Sequence, residues 1–252
     1  MKTISIIIIV KNAEDFLENA LKSASWADEI IILDSGSTDR TLSIAKKYTQ
    51  NIHVWEKWQG FGLQRQRAQK IAKSDWIFML DADEVITKEL KLSIQKVMQG
   101  AWGIYQVNRL SKAFGKEIKH SGWHPDWITR LYPKKLTTYN DDLVHEKLII
   151  PSDYVPNKID GLLMHETYRT MSDYYEKMTL YIDAWSTSNL SRKRGGLIIG
   201  LLRGFWAFIN MYILRLGLLD GSTGLTLALL RSETTIMKYV DLKVKQKNKF
   251  KN

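Results

Sequence analysis

The chain has 252 residues, 44% apolar and 11% aromatic, enough to bury one substantial core and to exclude a predominantly disordered polymer. It has no cysteine, which excludes disulfide frameworks and thiolate metal sites and suits a reducing compartment such as the cytoplasm. The formal charge of +10 is uneven: residues 191–252 carry twelve Lys or Arg against Asp220, Glu233 and Asp241, a balance of +9, while the first 190 residues sum to +1. The basic tail points to an anionic surface, nucleic acid or lipid headgroups, with a merely solvated tail as the plain alternative.

The run Ile4-Ser5-Ile6-Ile7-Ile8-Ile9-Val10 reads as a buried parallel strand rather than a signal peptide, because it is short and meets Lys11-Asn12-Ala13-Glu14-Asp15 without a small-residue cleavage pattern. Residues 14–25 carry Phe16, Leu17, Ala20, Leu21 and Ala24 at helical spacing. A strand over 29–33 follows and ends in Asp34-Ser35-Gly36-Ser37-Thr38-Asp39, whose side chains suit the cap of a helix over 41–48. A strand at 52–55, a helix at 64–72 and a strand at 76–80 complete the alternation, the last running into Asp81-Ala82-Asp83-Glu84. Strands alternating with helices in this way predict right-handed βαβ crossovers and a mainly parallel sheet sandwiched by helices. Ligands of such sheets lie beyond the carboxyl ends of the strands, where Asn12, Asp34 and Asp81 fall.

From residue 100 to 165 the pattern turns to short strands and loops rich in Trp, Tyr and His, side chains suited to recognising a second ligand. Trp102, Trp123 and Trp127 offer flat faces to sugar rings, or else pack in the core. Residues 171–239 read as helical throughout. The most apolar part, 195–219, is interrupted by Arg203, Asn210 and Arg215, leaving uncharged runs of eight and eleven residues. Each central Arg costs about 2.5 to 3.5 kcal/mol in a spanning helix. An interfacial segment is therefore expected, reinforced by Arg192, Lys193 and Arg194 before it and the Lys-rich tail after it. Ordinary core helices are the alternative. The expected organisation is a sheet domain over 1–170 and a helical basic extension over 171–252.

One Asp-x-Asp is expected by chance in a chain of this size, so Asp81-Ala82-Asp83 matters for its place after an apolar strand. Paired carboxylates there suit a hard divalent cation, Mg²⁺ or Mn²⁺, held against a diphosphate. The same acids could instead cap a helix starting at Thr87. A nucleotidyltransferase or a Rossmann oxidoreductase is disfavoured, because Lys11-Asn12-Ala13-Glu14-Asp15 replaces the glycine-rich first loop. A non-enzymatic nucleic-acid or membrane binder explains the tail but not the acids at the strand ends, and no nucleic-acid partner is expected.

The runs Ile6 to Glu14 and Asp28 to Thr41, with the Asp-x-Asp at the expected place, resemble family 2 glycosyltransferases of the GT-A fold. Gly60-Phe61-Gly62, Leu80-Asp81-Ala82-Asp83-Glu84, Val144-His145-Glu146 and Leu219-Asp220-Gly221 are similar to those of lipopolysaccharide core β-1,4-glucosyltransferases. The resemblance implies that Val10, Asn12 and Glu14 border the uridine pocket of a UDP-sugar donor, with Asp34 near the uracil. Many relatives have two acids in the second loop where Ser35 and Gly36 follow Asp34, so the atom that reads the base stays open. Gln64 and Arg67 are further candidates for the ribose or diphosphate. The resemblance makes Asp83 the principal metal ligand, with Asp81 and His165 beside it.

Inverting transfer needs a carboxylate that takes the acceptor hydroxyl's proton. Here the resemblance points to Glu146, with Asp141 and Asp142 as rivals and His145 orienting Glu146 or the acceptor. The reaction the resemblance implies moves glucose from UDP-glucose to an inner-core heptose of a lipid-linked saccharide, and the basic tail adds the expectation of a peripheral protein at the cytoplasmic leaflet of the cell membrane.

Overall fold

The computed structural model describes residues 2–142 and 146–249. They form two compact units that do not follow one cut in the chain: Met1–Arg109 with Asp126–His165, and Leu110–Pro125 with Glu166–Asn252.

In the first unit, β1 (Ile4–Val10) pairs in parallel with β2 (Glu29–Asp34) and β4 (Trp76–Asp81), and β2 pairs with β3 (Ile52–Val54). Helices α1 (Leu17–Ala24), α2 (Thr41–Ala45) and α3 (Phe61–Ile71) make the crossovers. The period-two alternation of β1 feeds two cores. Ile4, Ile6, Ile8 and Val10 join α1 and α4 (Lys88–Gln99), while Ile7 joins Ala68 and Ala72 at the other face. Burial on both faces explains why β1 reads as one apolar run instead of alternating. Each fully buried Ile or Leu contributes about 1.5–3 kcal/mol.

Beyond β4 the pairing turns antiparallel. β8 (Asp126–Pro133) lies against β4, β6 (Tyr105–Ala113) against β8, and β5 (Glu84–Ile86) against β9 (Asn157–Tyr168). The strand order is β3-β2-β1-β4-β8-β6-β9-β5. The sheet is therefore mixed, and its parallel part ends at β4. Only Ala82 and Asp83 separate β4 from β5, yet β5 leaves the parallel part to pair with β9 at the far end of the sheet, and β8 takes the place beside β4. Helices on both faces of this sheet give the α/β architecture of the GT-A fold. The register sets Val10 beside Asp34 and Ile9 beside Asp81, bringing three strand ends to one level.

In the second unit β6 runs on to pair with β7 (Lys116–Glu117). The stretch expected to be helical throughout is broken into α5 (Met171–Ser188), α6 (Leu197–Ile209) and α7 (Gly221–Lys249), with a π turn at Asn210–Leu214 and a 3-10 turn at Gly217–Asp220. A capping box of Thr170 and Asp173 starts α5. The break before α7 has two causes that periodicity does not reveal. Leu216 adopts a left-handed conformation, φ 55°. The buried Asp220 carboxylate accepts hydrogen bonds from the backbone N–H groups of Lys119 and His120 at 3.1 Å each and from Ser121 Oγ at 3.0 Å.

Small residues let α6 lie close along α7. A Cβ on Gly200 would meet the Ile236 carbonyl at 3.0 Å, and one on Gly204 would meet Ile236 Cγ1 at 2.6 Å. The other side of α6 is bare: Ile198, Leu202 and Phe205 are 74, 68 and 67% exposed, which ordinary core helices would not be. Residues Leu197–Leu214 form an 18-residue stretch of mean hydropathy 1.8, apolar and long enough to cross a membrane by length and composition alone.

Candidate active site

The first two loops of the sheet are stapled together by their own polar side chains. Asn12, at φ 50°, donates its N–H to Ser37 Oγ and accepts from Thr38 N–H through Oδ1, both at 2.9 Å. Glu14 Oε2 accepts from the backbone N–H and Nε of Arg40, both at 3.0 Å. Asp34 is fully buried; its Oδ2 accepts from the N–H groups of Gly36 and Ser37 at 2.8 Å each, and its Oδ1 accepts from Ser37 Oγ. These carboxylate oxygens hold the loop in shape. Val10 is buried beside them.

Gln64 and Arg67 lie one turn apart on α3. Gln64 is buried and donates through Nε2 to Ser35 Oγ at 2.8 Å, so α3 reads the conformation of the second loop. Arg67 donates to Gln64 Oε1 at 2.6 Å and stacks over the Trp55 ring at 4.5 Å.

A chain of alternating charges crosses the strand ends. Glu146 accepts from Arg65 Nε at 2.8 Å, and Arg65 Nη2 donates to Asp81 Oδ1 at 2.7 Å. Asp81 Oδ2 accepts from Arg130, and Arg130 Nη2 donates on to Glu84 Oε1 at 2.7 Å. Arg109 then bridges Glu84 at 3.4 Å and Asp126 at 2.7 Å. Four acids and three arginines, drawn from residues 65 to 146, thus form one continuous series. Glu84 is fully buried and also accepts the N–H of Asp81 at 3.0 Å, which fixes the turn between β4 and β5. Burial works to raise the Asp81 carboxyl, but the flanking Arg130 and Arg65 outweigh it and hold the group well below the usual carboxylate range. Burial opposes the charge of Arg65 in turn, and Asp81 outweighs that penalty, holding the guanidinium above its ordinary value.

Asp83 stands apart from this chain. Its Oδ2 lies 3.4 Å from His165 Nε2, because β5 pairs with β9 in a register that sets Glu84 beside His165. Among the described residues no group of three or more His, Asp or Glu is arranged to hold a metal. Asp81, expected among the ligands, has both oxygens engaged by arginines. Asp83 and His165 remain as a carboxylate and an imidazole side by side, which fits a divalent cation completed by phosphate oxygens and water, not one caged by protein.

The rivals of Glu146 lie differently. Asp142 accepts from Asn140 Nδ2 at 2.7 Å, and both Asp141 and Asp142 are exposed, whereas the Glu146 side chain is 14% exposed. His145 lies outside the described residues. The segment around Asn140 abuts the start of α3: Gly62 N–H donates to the Asp142 carbonyl at 3.3 Å, and a Cβ on Gly62 would meet the Asn140 carbonyl oxygen at 2.0 Å.

Sequence reasoning missed Arg65, Arg130, Glu84 and Arg109. One signal was available for Arg65, which shares the three- and four-residue spacing of Gly62, Ala68 and Ala72, so a cation sits on the buried stripe of α3. For Arg130 and Arg109 no local pattern marks the role.

The glycosyl transferase family 2 model matches residues 5–182. The chain belongs to this family. A Rickettsia bellii relative, an uncharacterized glycosyltransferase, is 33% identical over 60% of this chain and 54% of its own. The lipopolysaccharide core biosynthesis glycosyltransferase LpsC of Rhizobium meliloti is 28% identical over 71% of this chain and 68% of its own. The first five family relatives, all from Rickettsia, are matched over 54 to 66% of their length, so this chain spans little more than half to two thirds of them. Among solved structures, S. aureus TarS 1-349 in complex with UDP is similar at 19% identity and a TM-score of 0.48, over 99% of this chain and 92% of that one.

Proposed function

We propose that the chain is an inverting glycosyltransferase that moves a hexose, glucose on the sequence resemblance, from a UDP-sugar to a saccharide acceptor carried on a lipid. The observation that carries this reading is the unbroken ion-pair series that joins Glu146 to Asp81 and passes through Glu84, the residue next to Asp83 of the Asp83–His165 pair. It links a proton acceptor to a diphosphate-handling motif through one buried cation, Arg65.

In this reading Glu146 takes the proton of the attacking hydroxyl and Arg65 orients it. The loops around Asn12, Glu14 and Asp34 form the floor of the nucleoside site, with Asp34 acting through the loop it closes. Asp83 and His165 hold the divalent metal, which when bound neutralises charge on the departing nucleoside diphosphate. Nη1 of Arg65 is buried with no hydrogen-bond partner among the described residues, leaving a donor for an anionic substrate. Similarity to LpsC supports a lipopolysaccharide core acceptor. The bare side of α6 and the basic tail support a peripheral position at an anionic membrane surface. A spanning role fits α6 poorly, because its other side is covered by α7, which carries Arg231, Glu233, Lys238, Asp241 and Lys243.

Calorimetric titration with UDP and UDP-glucose, with and without Mn²⁺, tests the reading. Asp83→Ala is expected to abolish the metal-dependent part of UDP binding. Glu146→Gln is expected to keep donor binding within a few-fold and lower transfer by roughly 10²-fold or more. Equal UDP affinity with and without metal in the wild type, or full transfer by Glu146→Gln, would overturn the assignments.

A further inference from the structure

The second unit contains a cavity of about 500 Å³ that no step of the proposed transfer uses. Trp123, Tyr168, Tyr174 and Trp206 supply aromatic walls, and Arg215 and Arg231 supply two guanidinium groups. No acidic residue lines it among the described residues, and neither arginine has a carboxylate partner there. Two arginines, both open to solvent and without a carboxylate at the cavity, offer paired donors to an anion with an attached apolar or sugar body.

The surroundings narrow the choice. Trp206 lines the cavity and is itself 56% exposed, so the cavity is continuous with the bare side of α6, where Leu202 and Phe205 lie open to solvent. A small soluble anion would use the arginines and leave that apolar face uncovered. An anion borne on a lipid uses both at once. The backbone is also shaped around one of the arginines: Gly122, at φ 74°, leaves room for Arg215, whose Cδ and Nη1 would lie 2.4 and 2.3 Å from a Cβ there.

We propose, resting on the membrane-facing reading of α6 but independently of the donor site, that this cavity binds the phosphate-bearing headgroup of a membrane lipid. Arg215 and Arg231 hold the phosphate, the aromatic walls receive the headgroup, and the acyl chains lie along α6. The site is distinct from the generic attraction of the Lys-rich tail, which neutralises a surface without selecting a headgroup.

Vesicle flotation tests this with phosphatidylcholine alone and with a minority of phosphatidylglycerol, at physiological salt. Wild-type protein is expected to prefer the anionic vesicles by roughly tenfold or more. The variant R215Q/R231Q is expected to lose that preference, R215K/R231K to keep part of it, and K243Q/K247Q to keep most of it. UDP titration of each variant separates the two sites: lost lipid preference with UDP binding intact supports the cavity, and failure of UDP binding in the wild type sinks only the donor reading. Should R215Q/R231Q fail to fold by circular dichroism, R231Q alone carries the test, since Arg231 is exposed on α7 and it is Arg215 that packs closely on Gly122. The proposal is overturned if R215Q/R231Q retains the anionic preference, if K243Q/K247Q abolishes it, or if soluble glycerol phosphate binds in calorimetry while vesicles show no preference.

Discussion

The two units handle polar and apolar groups in opposite ways. At the strand ends of the first, ionisable side chains are buried and paired into one series, and the apolar residues of β1, β2 and β4 are covered on both faces. Along α6 of the second, apolar side chains face solvent and the cavity cations stand without acids. A globular chain folding alone gains nothing by exposing Ile198 and Phe205, and buried ion pairs such as Arg65 with Asp81 add little to stability against well-packed apolar residues. Both departures cost the isolated fold something, and the readings proposed above account for both as preparation for a ligand: a charged donor at one site, a lipid surface at the other.

The sharpest way to break the comparison is at Arg65. Arg65→Met leaves Asp81 and Glu146 without their shared cation, and unfolding in urea is expected to show a loss of about 3–5 kcal/mol. A loss under 1 kcal/mol would mean that the series is dispensable and that only chemistry selects it.

A smaller effect is expected at alkaline pH in the second unit. Burial, and then the neighbouring Tyr174, push the Tyr168 hydroxyl up to about 12. A pKa raised above the unfolded value of about 10 means that folding favours the neutral form. The contribution is complete below pH 10 and disappears as the pH rises from 10 toward 12. Two units correspond to about 2–3 kcal/mol, read as a falling melting temperature over that range that Tyr168→Phe should flatten. The smallest change in stability is expected on the bare face. Leu202→Glu should alter unfolding free energy by no more than about 0.5 kcal/mol, yet weaken flotation with anionic vesicles measurably; a large loss of stability would show that α6 is covered in solution.

Much of the first unit was legible in the sequence, for reasons the cores make plain. Strands such as Ile4 to Val10 and Trp76 to Asp81 are buried on both faces, so they stand out as continuous apolar runs whatever surrounds them. The position of Asp81-Ala82-Asp83 at the end of an apolar strand was legible for the same reason. The ion-pair series was not, since residues 65, 109, 130 and 146 meet only through the order of the sheet, and long-range pairing leaves no local period. The antiparallel half was obscured for a different reason: β6, β8 and β9 are long but only partly buried, so none of them shows a continuous apolar run. In the second unit hydropathy marked the helical stretch, but the breaks depend on Leu216 and on Asp220, whose partners lie about a hundred residues earlier.

Gly62 carries no functional group, yet its missing side chain keys α3, which bears Arg65, to the segment leading toward Glu146. A single methyl there would have to displace the Asn140 carbonyl, now only 2.0 Å from where it would sit, by more than an ångström. Arg65 and Glu146 would then be pulled out of register while every charge stayed in place. Glu146, the proposed proton acceptor, is in that sense mounted on a gauge block of zero thickness, so that reach across the site is set by an atom that is not there.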